Sequence, residues 1–171
     1  SQPPYGGLRV AVGGPHNTSS SFSQNIAPGS VGVFYPKMNG ISGNYEWEII
    51  QNSNGFLTPD CHTVRTPGNQ PGFGSSVSLS NDGNILVVSD PKSNTQSGIS
   101  YNPNGRVYIF GYDSTSFSFP KFVQLGNDIE GDTLNDQFGS SVSVSGDGNI
   151  LAIGASENDF NAVNAGQVKV Y

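Results

Sequence analysis

The sequence predicts an all-β fold assembled from repeated four-stranded antiparallel units, and three observations carry that prediction. The segment Phe73-Gly-Ser-Ser-Val-Ser-Leu-Ser-Asn-Asp-Gly-Asn-Ile-Leu-Val-Val88 returns almost unchanged 65 residues later as Phe138-Gly-Ser-Ser-Val-Ser-Val-Ser-Gly-Asp-Gly-Asn-Ile-Leu-Ala-Ile153. A second marker, Gly-x-Val-x-[Val/Ile]-[Phe/Tyr], follows each copy as Gly105-Arg-Val-Tyr-Ile-Phe110 and Gly166-Gln-Val-Lys-Val-Tyr171. An earlier partial copy runs from Leu8-Arg-Val-Ala-Val-Gly-Gly-Pro15 to Gly29-Ser-Val-Gly-Val-Phe34, and the 14 residues from Pro15 to Gly29 equal the 14 from Pro91 to Gly105. Repetition at a fixed period marks a supersecondary unit that buries its apolar faces by stacking on its neighbours.

The first unit opens with the strand after Leu8, continues with Gly29–Phe34 and ends on Tyr45–Ile50, where Glu46 and Glu48 alternate with Tyr45, Trp47 and Ile49 so that one face meets water. In the second unit Phe73–Ser80 alternates Val77 and Leu79 with serines, the period of a strand. Asn81-Asp-Gly-Asn84 supplies residues that tolerate positive φ, so a tight hairpin leads into Ile85–Ser89. That strand and Val107–Phe110 are apolar on both faces and must be covered on both. Pro120–Leu125 is the outer strand, and the third unit repeats the first three strands from Phe138 to Tyr171. Small residues at the inner edge, two buried middle strands and a half-exposed outer strand are the layout of a propeller blade, which crowds near its axis.

The expected division is a first blade over 1–69, lacking its inner strand and carrying a long connecting loop, a complete second blade over 70–137, and a third over 138–171 lacking its outer strand. About three blades make a partial array, since a closed ring usually takes about four to eight. The expectation is one propeller-like unit, a segment of a longer polypeptide. Its missing strands would come from other blades of that polypeptide or from other subunits of an assembly, because bare strand edges invite aggregation.

Phe73-Gly-Ser-Ser-Val-Ser78 followed by Leu86-Val-Val-Ser-Asp-Pro91 resembles the FG-GAP type of propeller repeat found in integrin α subunits and in many bacterial, algal and large-virus surface proteins. Gln124-Leu-Gly-Asn-Asp-Ile-Glu-Gly-Asp132 before the second Phe-Gly strand, and Gly154-Ala-Ser-Glu-Asn-Asp159 with Ala165-Gly-Gln-Val-Lys-Val-Tyr171 after it, are similar to a marine-microbial subtype. The likeness covers residues 70–171 well and 8–50 more loosely. It implies a non-catalytic structural or adhesive module, extracellular or at the cell surface, with a virion surface or capsid as the alternative. Integrin-type repeats also bind calcium through an Asp-x-[Asp/Asn]-x-Asp-Gly-x-x-Asp loop. The matching turns, Ser80–Ile85 and Ser145–Ile150, keep one carboxylate each, Asp82 or Asp147, so that loop is not carried over.

Composition narrows the partners. A net charge of −6 with seven scattered Lys and Arg speaks against nucleic acid, and no apolar run approaches the twenty or so residues that insert into a bilayer. Charged residues are 12% of the chain, about half the usual share of roughly 25%, as suits extracellular proteins and large assemblies. Cys61 is alone, so no internal disulfide forms, and its neighbour His62 points away from it on an extended segment. His16 has no ligand set around it, and no catalytic residue or cofactor is assigned.

Asp128, Glu130, Asp132 and Asp136 have the oxygen density for a calcium ion, with Glu157 and Asp159 in the next loop, but the stretch before Phe73 lacks the cluster. A solvated acidic loop is the competing reading. Asn17-Thr-Ser19 is a glycosylation sequon. Tyr5, Trp47 and Tyr101 are candidates for stacking on a glycan, and loops 16–28, 51–72 and 92–104 for protein or glycan contact. The alternatives to a binding module are a propeller hydrolase or lyase and a calcium-dependent, lectin-like binder. Inner strands of Ser and Gly offer nothing titratable at an axial mouth, which disfavours the enzyme.

Overall fold

A computed structural model describes residues 9–14, 30–49, 72–93, 104–114 and 121–171, and among them it is all-β, with three antiparallel sheets. The first sheet contains β1 (Val10–Gly14), β2 (Ser30–Met38) and β3 (Tyr45–Ile49) in that order. The second orders β4 (Val77–Leu79), β5 (Ile85–Asp90), β6 (Arg106–Asp113) and β7 (Lys121–Gln124), and β8 (Ile129–Glu130) also pairs with β6. The third contains β9 (Phe138–Val144), β10 (Leu151–Ala155) and β11 (Gln167–Val170). These are the sheets of partial propeller blades. The register repeats as closely as the sequence does: Val77 faces Val88 and Leu79 faces Leu86, just as Val142 faces Ile153 and Val144 faces Leu151.

The hairpin turn repeats atom for atom. Ser80 Oγ donates to Asp82 Oδ1 at 2.6 Å, and that oxygen also accepts the Asn84 N–H at 3.0 Å, while the Ile85 N–H donates to Ser80 Oγ at 2.9 Å. Ser145, Asp147, Asn149 and Ile150 make the same bonds. Gly83 and Gly148 take φ of +68° and +78°, which is why glycine follows each aspartate. The serine hydroxyl and the asparagine N–H hold both carboxyls below the ordinary aspartate range. A depressed folded pKa gives stability that is present above the unfolded value and lost as pH falls through the folded one. Asp82→Ala is therefore expected to lower the Tm at neutral pH and to change it much less in acid, read by thermal melts across that range.

Two features depart from expectation. The inner strand of the second sheet covers Val77–Leu79 rather than Phe73–Ser80, because the chain swells outward at Phe73–Ser76. Gly74 sits at φ +86°, its N–H bonds the Ser89 carbonyl at 2.9 Å, and the Ser75 N–H turns back to Gly72 at 3.0 Å. The third sheet has the same swelling, with Gly139 at φ +88° and a register shift between Gly154 and Ala155. Phe-Gly-Ser-Ser is thus a bulge that aims its phenylalanine inward. The second departure is β8, which lies in the segment read as an acidic loop: after Gln124 the outer strand breaks at Gly126, φ +66°, then resumes its pairing with β6.

Two apolar seams hold the sheets together. Val31 and Val33 of β2 pack with Phe73, Leu86, Val88, Tyr108, Phe110 and Phe122 between the first and second sheets. Phe138, Leu151, Ile153 and Ala155 pack with Val87 and Val107 between the second and third. The middle sheet is therefore covered on both faces by its sisters, as strands apolar on both sides require. Phe73 meets Tyr108 edge to face at 5.5 Å, a geometry that adds to the burial.

Candidate functional site

The surfaces most informative about function are the seams and the faces that carry seam residues without a seam. At the inner edge of the second seam the Val142 N–H donates to Ser76 Oγ at 3.1 Å and the Val144 N–H to Ser78 Oγ at 3.0 Å. Serines of one inner strand thus satisfy the edge N–H groups of the next, which would otherwise template aggregation. Further along, the Asn81 N–H bonds the Gly146 carbonyl at 2.9 Å. The turns also stack: a Cβ on Gly148 would lie 2.8 Å from Ile85, and one on Gly83 would lie 3.1 Å from the Arg9 stem. Arg9 occupies the place of Ile85 one unit earlier, donates to Asp82 O at 3.2 Å and Asn84 Oδ1 at 2.9 Å, and stacks on Tyr112 at 3.8 Å.

The same positions are open at the two ends of the stack. Val168 and Val170 are 68% exposed, whereas Val107, the counterpart of Val168, is fully buried. Val10 and Val12 are 41% and 54% exposed, against 0% for their counterparts Leu86 and Val88. Ile150 is the counterpart of Ile85 and is exposed as well.

The four acidic residues singled out for calcium do not converge. Arg106 reaches Asp128 at 3.2 Å and Glu130 at 2.9 Å, the former an ion pair without hydrogen-bond alignment. Asp132 pairs with Lys169, and buried Asp136 accepts from Asn158 Nδ2. Glu157 accepts from Gln137 Nε2, and Asp159 accepts the Asn164 N–H at 2.7 Å. Among the described residues no three His, Cys, Asp or Glu stand close enough to hold a metal. Composition counts the carboxylates but not the cation that β6 delivers to them.

Trp47 is exposed on β3 and lies in a shallow groove with Lys37, Met38, Asn39, Gly40 and Glu46. Glu48 beside it accepts from Tyr35 Oη at 2.5 Å and from Lys37 Nζ at 2.9 Å, and Asn39 Nδ2 donates to Glu46 at 2.8 Å. Hydrogen bonds from Lys37, then Tyr35, hold the Glu48 carboxyl below its ordinary range. Burial, followed by the bond to Glu48, pushes the Tyr35 hydroxyl up to about 12. The groove is an indole face rimmed by fixed polar groups, a mixture suited to a ligand with one apolar and one hydroxylated side. Tyr5, His16, Asn17, Cys61, His62 and Tyr101 lie outside the described residues.

What decides the repeat type is the conjunction in one antiparallel sheet of the bulged Phe-Gly-Ser-Ser strand, its serine-aspartate-glycine turn and the closing Gly-x-Val strand. Residues 130–171 match the FG-GAP repeat family. The match takes in Glu130 of β8 and all of the third sheet. It makes this part of the chain a β-propeller-type repeat module. No curated protein matches the chain.

Proposed function

We propose that the chain is a non-catalytic structural or adhesive repeat module of a surface protein or a large assembly, holding its loops and the Trp47 groove for contact with proteins or glycans. The observation that carries this reading is the repeated seam. The N–H groups of Val142 and Val144 in β9 and the hydroxyls of Ser76 and Ser78 are committed to holding sheet on sheet, so loops and outer faces are among the places left to meet a partner. An extracellular or surface location goes with it, since FG-GAP repeats are common in such proteins. No helix among the described residues is long and apolar enough to cross a membrane. The reading assigns no metal, because Arg106, Lys169 and Asn158 engage the acidic residues that would bind one.

Trp47 is the chain's one tryptophan, so its fluorescence reports on the groove alone. Neutral and acidic oligosaccharides at up to millimolar concentration are expected to change that emission saturably, and Trp47→Ala is expected to abolish retention on the same immobilised glycans. Unchanged emission throughout the panel would remove the glycan from this reading. Turnover of glycoside or ester substrates by the purified chain would replace it with the hydrolase.

A further inference from the structure

The first sheet lacks among the described residues what the other two have, an inner strand. β5 is flanked by β4 and β10 by β9, while β1 pairs with β2 alone. In β5 and β10 the residues whose backbone bonds the inner strand include Ile85, Ser89 and Ile150. Their counterparts on β1 put Arg9, Ala11 and Gly13 toward its open edge. The slot has a second wall. Val77 and Leu79 hold the places that Val142 and Val144 hold one unit later, where both N–H groups are taken by serines of the preceding inner strand. No preceding inner strand stands there for Val77 and Leu79 among the described residues. The slot's dimensions are set, since a Cβ on Gly13 would lie 2.0 Å from the Gly74 carbonyl, so β1 already rests against the bulge that an inner strand would extend beside.

We propose that this slot binds an extended segment of the Phe-Gly-Ser-Ser-Val-Ser-Val-Ser pattern, adding it antiparallel to β1 as a strand whose alternate serine hydroxyls accept the N–H groups of Val77 and Leu79. The two requirements are separate. Backbone pairing with Arg9–Gly13 gives strand addition of the kind many sheet edges support. The hydroxyls select for serine at two positions, those of Ser141 and Ser143 in the third sheet, because an alanine there leaves two N–H groups without an acceptor. Apolar residues alternating with the serines would stand opposite Val10 and Val12, as Val144 and Val142 stand opposite Leu151 and Ile153. This recognition is independent of anything the loops or the Trp47 groove bind.

The probe is a capped synthetic peptide with the sequence of residues 138–145, added to the isotope-labelled chain while amide exchange and chemical shifts are followed residue by residue. In the free chain Val77 and Leu79 are expected to exchange at least tenfold faster than Val142 and Val144. Saturating peptide should slow Ala11, Val77 and Leu79 at least tenfold. A peptide with alanine in place of the residues corresponding to Ser141 and Ser143 should bind at least fivefold more weakly. The proposal is overturned if Val77 and Leu79 are already as protected as Val142 and Val144, if millimolar peptide slows none of the three amides, or if both peptides bind alike. Ala11→Pro, which removes an edge N–H at a position where an edge strand tolerates proline, should lose peptide binding with an unchanged far-UV spectrum. Retained binding by a folded Ala11→Pro variant counts against the slot, and the exchange comparison on the unsubstituted chain stands whether or not that variant folds.

Discussion

Alanine at Gly105 is expected to destabilise the chain by about 2–5 kcal/mol, the sum of two costs that can be separated. Gly105 has φ +85°, and an L-residue there pays roughly 1–2 kcal/mol for the left-handed backbone. The added Cβ would also fall 2.0 Å from the Phe138 carbonyl oxygen and 2.9 Å from the Phe138 carbonyl carbon and amide nitrogen. Backbone cannot swing aside as a flexible side chain can, and forced repacking typically adds about 1–3 kcal/mol. Phe138 is the buried anchor of the seam between the second and third sheets. Its N–H bonds the Asn104 carbonyl at 3.3 Å, and Gly131, packed on the same spot, bonds Gly105 at 3.0 Å. Pushing Phe138 away therefore opens the seam at its most crowded point. Gly43 supplies the control, with φ +69° and nothing within 4 Å of the place a Cβ would take. Gly43→Ala should cost only the backbone part, about 1–2 kcal/mol. Urea unfolding of both variants tests the difference, and equal costs would mean that the close approach to Phe138 is absent.

What could be read from the chain, and what could not, follows from the range of the physics involved. The period-two pattern around Val77 and the double-sided apolar run at Leu86–Val88 are local, and both became strands, the second buried on both faces as implied and the first half-buried without alternation. The equal spacing from Pro15 to Gly29 and from Pro91 to Gly105 aligned β1 and β2 with β5 and β6, although the loops between them share little sequence. The bulge at Phe-Gly-Ser-Ser was hidden because glycine in a strand reads as a small residue, and only its positive φ distinguishes the two uses. β8 was missed because a lone Ile129 among acids has no period, and its pairing depends on Arg106, more than twenty residues earlier. The same arginine pairs with two members of the acidic cluster, Asp128 and Glu130. The alternation of Tyr45, Glu46, Trp47 and Glu48 implied one wet face, but Tyr45, Glu46 and Trp47 are all exposed, so both faces of β3 meet water, while Glu48 is half-buried and bonded to Tyr35. The serines of the inner strands were legible as small residues fit for crowding. Their service as acceptors for the next strand is a relation between units that no single unit contains.

Asp90→Asn is expected to stabilise the chain at neutral pH by an amount on the order of 1–3 kcal/mol, with the gain vanishing near pH 4. Asp90 ends β5 as a buried residue, and its Oδ1 has no hydrogen-bond partner. A Cβ on Gly72 would come within 2.2 Å of that oxygen, which shows how tightly the backbone closes over it. Burial pushes the carboxyl from 3.8 up to about 6, with the Lys92 N–H and the charges of Arg106 and Lys92 opposing the rise. Because the folded pKa lies above the unfolded one, the folded chain holds the extra proton between about pH 4 and 6. Stability therefore falls as pH rises through that window, and the full penalty, at most about 3 kcal/mol, is present above it. Asparagine keeps an oxygen for the Lys92 N–H and carries no charge. Arg106, which faces Asp90 across the β5–β6 ladder, retains Asp128 and Glu130. The corresponding positions in the other units, Gly14 and Ala155, are uncharged, so the repeat itself needs no carboxylate there. Urea unfolding of both chains from pH 4 to 8 gives the comparison. A variant less stable than the parent at pH 8, or parallel pH profiles, would show that Asp90 is held as a paired ion, with Arg106 repaying the cost of its burial.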